Sequence, residues 1–359
     1  MKNNNFVPER VEKMSEYIPD TSCPRVKLDA NESPYPMPEE AKKAISEAIL
    51  REIGGLNRYP DPDMKELYAA YGEYLSVSPE LLVAGDGSDE LINLIINTFL
   101  CDGGKILLCL PDFSMYRFYS ELAGVETVVY NKKDGMDIDF SELAETVKRE
   151  GVKLVMFSNP CNPTGVLEKK ADVLRFVSET EALVIADEAY MEFARDGGAS
   201  VIGDVENYDN LIVLKTVSKI GLAGLRCGFA ISNKKLISAL KKTKSPYNMN
   251  TVTQAAVSAA MRNFGGFERN IELIRRETAW LYTALSAGAE QGGYTLRPSD
   301  TNFVWVRFSD TERGKRIAAA IREKGISVRV MGGNLRITAG TQGECAELAA
   351  AFSEAIKSY

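Results

Sequence analysis

Between residues 81 and about 232, short runs of apolar and β-branched residues alternate with longer stretches whose apolar positions recur every three or four residues. The runs lie at 81–84, 105–110, 126–130, 154–158, 183–186, 211–214 and 228–232. Several are apolar throughout, as strands covered on both faces are. The alternation predicts an α/β unit with a mostly parallel seven-stranded sheet flanked by helices. Such sheets present their ligands at the carboxyl ends of the strands, so chemistry is expected just after each run.

Residues 1–37 are less regular. They hold Pro8, Pro19, Pro24, Pro34 and Pro36, and a strand-like piece at 25–28 that reads as part of an arm crossing a surface. From Pro38 the period becomes helical, with Ala41, Ala44, Ile45, Ala48 and Ile49 on one face, followed by a second helix carrying Leu67, Tyr68, Tyr71 and Leu75. After Pro246 come helices near 254–261, 267–287, 312–324 and 343–358, and strands near 302–307, 327–330 and 335–338. These form a smaller α+β unit. The expected division is therefore an arm with part of the small domain (1–37), a large domain (38–245) and a C-terminal small domain (246–359).

Composition removes several function classes. A net charge of -7 has the wrong sign for tracking phosphate backbones, so no nucleic-acid partner is expected. The chain has no histidine, which excludes Ser-His and Cys-His nucleophiles and most zinc hydrolases. Any proton transfer falls to Lys, Tyr, Asp, Glu or Cys. Six scattered cysteines without C-x-x-C spacing give neither a metal knuckle nor a dithiol pair; no metal is expected, and the thiols read as reduced, in the cytoplasm. No uncharged stretch reaches membrane-spanning length, so no membrane partner is expected either.

Four segments at strand ends carry the candidate chemistry. Gly85-Asp86-Gly87-Ser88-Asp89 follows a strand and opens a helix, where backbone N–H groups suit an anion, although this segment taken alone favours a plain turn capped by Ser88. It lacks the lysine of a nucleotide-binding loop. Asn159-Pro-Cys-Asn162-Pro163-Thr164-Gly165 follows a second strand. In the third, an apolar strand runs into Asp187, Glu188 and Tyr190; a carboxylate at a buried strand end is costly unless something positive meets it, the alternative being a helix cap. In the fourth, Thr216, Ser218 and Lys219 lead through small and apolar residues to Arg226. Serine and arginine suit a phosphate, and a lysine hemmed in by Ile220, Leu222 and Leu225 is partly desolvated and nucleophilic as the amine.

Taken in order, Leu-Asp-Ala-Asn-Glu-Ser-Pro-Tyr (28–35), Arg-Tyr-Pro-Asp-Pro (58–62), Asn-Pro-Thr-Gly (162–165), Ala-Asp-Glu-Ala-Tyr (186–190), Thr-Val-Ser-Lys with Gly-Leu-Ala-Gly-Leu-Arg (216–226) and Leu-Arg-Ile-Thr-Ala-Gly-Thr (335–341) resemble the fold-type I aminotransferases of class I/II, which depend on pyridoxal 5'-phosphate (PLP). Within that family the chain is most similar to the histidinol-phosphate aminotransferases, over essentially its whole length. The resemblance implies the fold-type I PLP-transferase fold and assigns Lys219 as the Schiff-base lysine and proton shuttle. It sets Asp187 against the pyridine nitrogen, and Asn162 and Tyr190 on the phenolic oxygen. Ser218, Arg226, Thr216 and the backbone at Ser88 and Asp89 would hold the cofactor phosphate, and Phe113 would stack on the ring. Tyr59 would reach the phosphate from a second subunit, implying a homodimer.

The same resemblance sets Arg336 on a substrate α-carboxylate, Arg329 on a substrate phosphate and Tyr17 over the substrate, with Asn162 also near it. The implied reaction is transamination between histidinol phosphate and 2-oxoglutarate, in histidine biosynthesis. Threonine-phosphate decarboxylases and aromatic or other amino-acid aminotransferases share these motifs, so the bond broken at Cα stays open from sequence. A non-catalytic PLP-binding sensor is the reading from another class; the acidic charge and the intact Lys219 set argue against it.

Overall fold

The computed structural model describes residues 6–16, 23–134 and 136–359. Twelve strands among them form two sheets. The larger contains β2 (Leu82–Asp86), β3 (Lys105–Leu110), β4 (Glu126–Asn131), β5 (Val152–Ser158), β6 (Leu183–Asp187), β7 (Leu211–Thr216) and β8 (Cys227–Ser232). The smaller contains β1 (Val26–Leu28), β9 (Tyr294–Thr295), β10 (Phe303–Phe308), β11 (Ile326–Met331) and β12 (Asn334–Thr338).

Across the larger sheet the order is β2-β8-β7-β6-β5-β3-β4, and only β8 runs against its neighbours. This is the seven-stranded, mostly parallel sheet that the apolar runs predict. Its central strands are buried on both faces, with β7 and β8 buried at every position. One face packs Ile92, Ile95 and Ile96 of the helix Gly87–Phe99 against Ile106, Ile185 and Ile212. Burial of each such side chain contributes about 2 kcal/mol, which fixes the strands rigidly. The carboxyl ends of β2, β3, β5, β6 and β7, and the start of β8, consequently share one edge.

In the smaller sheet the order is β1-β11-β12-β10-β9. The piece expected to lie across a surface is instead an edge strand: Val26 and Leu28 are buried in the smaller core while Lys27 between them is exposed. Three residues are too few for an alternating pattern to announce itself, and the parallel partner is about 300 residues away. Gly332 and Gly333 both take positive φ (59° and 87°), as a two-residue hairpin loop between twisted strands requires. That turn sets the register in which Arg329 lies opposite Arg336.

The helix Thr251–Met261, just past the boundary expected near 245, buries Ala256, Val257 and Ala260 in the larger core. The 22-residue helix Gly265–Ser286 joins both cores, through Phe267, Ile271 and Ile274 at one end and Leu281 and Leu285 at the other. No helix among the described residues is long and apolar enough to cross a membrane.

Candidate active site

Asp187 ends β6 with its side chain buried. The Tyr116 hydroxyl donates to its Oδ2 at 2.7 Å and the Ala189 N–H to its Oδ1 at 3.1 Å. Burial pushes the Asp187 carboxyl up to about 6 although both hydrogen bonds pull it down. Among the described residues no Lys or Arg forms an ion pair with it; the buried cation that feels its charge, Lys215, is committed to Glu192 at 2.7 Å.

The cavity is walled by the strand ends. Ser88, Asp89, Phe113, Asn162, Tyr190, Thr216, Ser218, Lys219 and Arg226 line it together with Asp187. Thus all the cofactor residues expected within one chain, from Ser88 to Arg226, meet around one space. Lys219 is half-buried on the kinked turn Ser218–Leu222, where Gly221 takes a φ of 112°, and its Nζ stands 5.8 Å from the centre of the Tyr190 ring.

The end of the cavity away from Asp187 is built for an anion. The helix Gly87–Phe99 begins with no side-chain cap, leaving its first N–H groups to other partners. Gly87 has a φ of 78°, and a Cβ there would sit 2.5 Å from Arg226 Nη2, so only glycine lets the guanidinium approach. Arg226 Nη2 lies 3.3 Å from Asp89 Oδ2. Thr216 Oγ1 donates to Ser218 Oγ at 2.9 Å or to the Cys227 carbonyl at 3.1 Å, while accepting from the Ser218 N–H.

Along one side of the cavity runs a chain of hydrogen bonds. Asn31 Nδ2 donates to the Tyr190 hydroxyl at 2.8 Å, Asn162 Nδ2 lies 3.4 Å from the same oxygen, and Arg336 Nη1 donates to Asn162 Oδ1 at 2.8 Å. Arg336 Nη2 reaches the Asp29 carbonyl at 2.8 Å. A second cleft, about 580 Å³, opens from the first and shares Asp89, Phe113, Asn162, Tyr190 and Lys219 with it. Lys27, Arg329 and Arg336 add three cations to its lining. Arg329 stands opposite Arg336 across the β11–β12 pair, which brings two of these cations side by side.

Two expected residues stand apart. Tyr59 is 80% exposed, stacks on Tyr247 at 4.5 Å and lines neither cavity within its own chain. Tyr17 lies outside the described residues. Conversely, Tyr116 and Asn31 belong to the site although neither was expected there. Tyr116 falls three residues after Phe113, on the same side of the helix that Phe113 caps, and its ring meets Phe113 edge-on at 5.5 Å. Asn31 sits inside the matched 28–35 segment, in the left-handed region with a φ of 56°.

Over most of its length the chain is similar to known proteins. The family model for aminotransferases of class I and II matches residues 24–352. A histidinol-phosphate aminotransferase of Caldanaerobacter subterraneus subsp. tengcongensis is 35% identical over 341 residues, 93% of this chain and 94% of that protein. One of Ruminiclostridium cellulolyticum is 36% identical over 328 residues, 89% of each. The crystal structure of histidinol-phosphate aminotransferase from Sinorhizobium meliloti in complex with pyridoxal-5'-phosphate superposes with a TM-score of 0.87 at 25% identity, covering 99% of this chain and 98% of that one. With the family model spanning nearly the whole sequence and the strand-end residues gathered around one cavity, this chain belongs to the class I and II aminotransferases.

Proposed function

We propose that this protein is a PLP-dependent aminotransferase that moves the amino group between histidinol phosphate and 2-oxoglutarate, in histidine biosynthesis. One observation carries the cofactor reading: a buried carboxylate without a cationic partner at one end of the cavity, and an arginine with uncapped helix N–H groups at the other. PLP has a pyridine nitrogen that gains from an acidic partner and, across the same flat ring, a phosphate that needs donors and positive charge. The residues present fit it.

Bound there, PLP supplies an electron sink for the charge left at the substrate Cα when its proton departs. The chain's own residues do the rest. Asp187 would hold a proton at the pyridine nitrogen, with Tyr116 keeping the carboxylate aimed. Tyr190, itself held by Asn31, and Asn162 direct donors at the phenolic oxygen. Lys219 would hold the cofactor through its amine and, as a free amine, would serve as the base that takes the proton from Cα. Phe113 would cover the ring face, and Ser218, Arg226, Thr216 and the N–H groups at Ser88 and Asp89 would hold the phosphate.

Arg336 meets the α-carboxylate of glutamate as a planar fork, and Arg329 meets the phosphate of the phosphorylated donor. The support is their common place in the cleft beside Lys219 and the naming of the curated relatives. The test is spectroscopic. Protein loaded with PLP should show a visible band that glutamate converts to the shorter-wavelength absorbance of the pyridoxamine form; a band unmoved by glutamate contradicts transamination. A donor panel of histidinol phosphate, threonine phosphate and phenylalanine then fixes the substrate.

The active unit is a homodimer in which Tyr59 completes the neighbour's phosphate site. Its exposure, and its lying outside the lining of its own chain's cavity, support this. Mixing inactive Lys219→Ala chains with weakened Tyr59→Ala chains should restore activity, since hybrid dimers hold one intact site. Activity no greater than that of the two variants measured separately would remove Tyr59 from this role. The cytoplasm is the expected compartment, in keeping with six free cysteines.

A further inference from the structure

Asp112 lies outside the cavity, and its carboxylate is fully enclosed. Its Oδ1 accepts from the Phe113 N–H at 2.8 Å and from the Ser158 hydroxyl, and its Oδ2 accepts from the Ser158 N–H at 3.2 Å. Lys132, equally enclosed, brings Nζ to 3.4 Å from Oδ2 and donates to the Pro111 carbonyl at 3.3 Å and to Cys161 Sγ at 3.0 Å. Ser158 Oγ in turn accepts the Asn162 N–H at 2.9 Å. One buried ion pair therefore ties the loop after β3, which carries Phe113, to the loop after β5, which carries Asn162.

A buried ion pair is a poor device for stability, because desolvation offsets most of its attraction. Its value here lies in geometry: a carboxylate with several directional bonds fixes two loops that would otherwise move independently. We infer that Asp112, braced by Lys132 and relayed through Ser158, is a positioning residue that holds the Asn162 amide and the Phe113 ring in their working places. This rests on the roles given above to Asn162 and Phe113. Asp112 acts through them and touches no reacting atom.

The test uses the PLP-loaded protein and two changes. Ser158→Ala cuts the relay without unpairing a charge, and the double variant Asp112→Asn with Lys132→Met removes the ion pair while leaving no lone buried charge. Both should move the pH midpoint of the bound cofactor's visible band upward by about one unit, because Asn162 no longer steadies the ionised phenolic oxygen. Both should lower kcat about 100-fold with KM for glutamate little changed. Ser158→Thr, which keeps the hydroxyl, should restore the midpoint. A lowered Tm with midpoint and kcat unchanged in both variants would make the network structural only and overturn the inference. A wild-type protein with no visible band would instead defeat the cofactor reading, a distinguishable failure.

Discussion

The two sheets present functional side chains in different ways. In the larger sheet the central strands are largely buried and, apart from Lys153 and Lys215, apolar until their last residues, and the site side chains begin where each strand stops, at Ser158, Asp187 and Thr216. In the smaller sheet the arginines proposed to meet substrate stand within strands: β11 is buried at its first two residues and then half-open or exposed through Met331, so Arg329 lines the cleft while Ile326 packs the core. The first arrangement fixes charges against a rigid floor. The second hangs charges on a hairpin whose outer half is open to solvent. A group that must hold one ring in one orientation belongs on the first, and a group that must receive varied substrates belongs on the second.

That contrast predicts that damage to the floor abolishes function, whereas damage to the hairpin changes preference. The largest effect should come from Lys219→Ala. Removing the amine deletes both the attachment and the proton shuttle, and turnover should fall by on the order of 10⁴-fold or more. The phosphate cradle of Ser218 and Arg226 remains, so PLP should still bind, reversibly and without the visible band. Retention of normal turnover in a discontinuous glutamate assay would remove Lys219 from its role.

Next in size is a pH-dependent effect at Asp187, measured without cofactor. A carboxyl whose pKa is raised on folding stabilises the fold at low pH, where it is neutral, and that contribution disappears as pH rises through the folded value of about 6. Above it the ionised, buried group costs up to roughly 3 kcal/mol. Asp187→Asn is neutral throughout, so in cofactor-free protein its Tm should overtake the wild type's progressively between pH 4 and 7. Parallel Tm curves would mean that burial does not perturb this carboxyl. With PLP bound the order should reverse in activity, because the pyridine nitrogen loses its acidic partner.

What the sequence reveals follows the same division. Asp187, Ser218, Lys219 and Arg226 are legible because each lies next to an apolar run or a short contiguous motif. The strands of the larger sheet are legible for the same reason, since buried parallel strands leave continuous apolar stretches, whereas their order across the sheet is not. The hydrogen bonds that aim those groups are not legible. Tyr116 reaches Asp187 across 71 residues of sequence, and Asn31 reaches Tyr190 across 159. Asp112 and Lys132 read as solvated charges until the fold encloses both. Such pairings are decided by where strand ends converge, a property of the assembled sheet that no local spacing encodes.

The smallest effect tests the hairpin itself. Arg329 lies opposite Arg336 in a register set by the Gly332-Gly333 turn, and both line the cleft with Lys219. Arg336 is buried and committed to Asn162 and the Asp29 carbonyl, whereas Arg329 is half-exposed on the open half of its strand. Removing a charge-assisted contact to a phosphate dianion costs about 2 kcal/mol, so Arg329→Ala should raise KM for histidinol phosphate about 30-fold. A carboxylate substrate carries less charge and leans on Arg336, so KM for glutamate should change far less. Equal increases for both substrates would show that Arg329 acts through the general field of the cleft, and the preference for phosphorylated donors would then have to be sought at Lys27, which shares the cleft on the neighbouring edge strand.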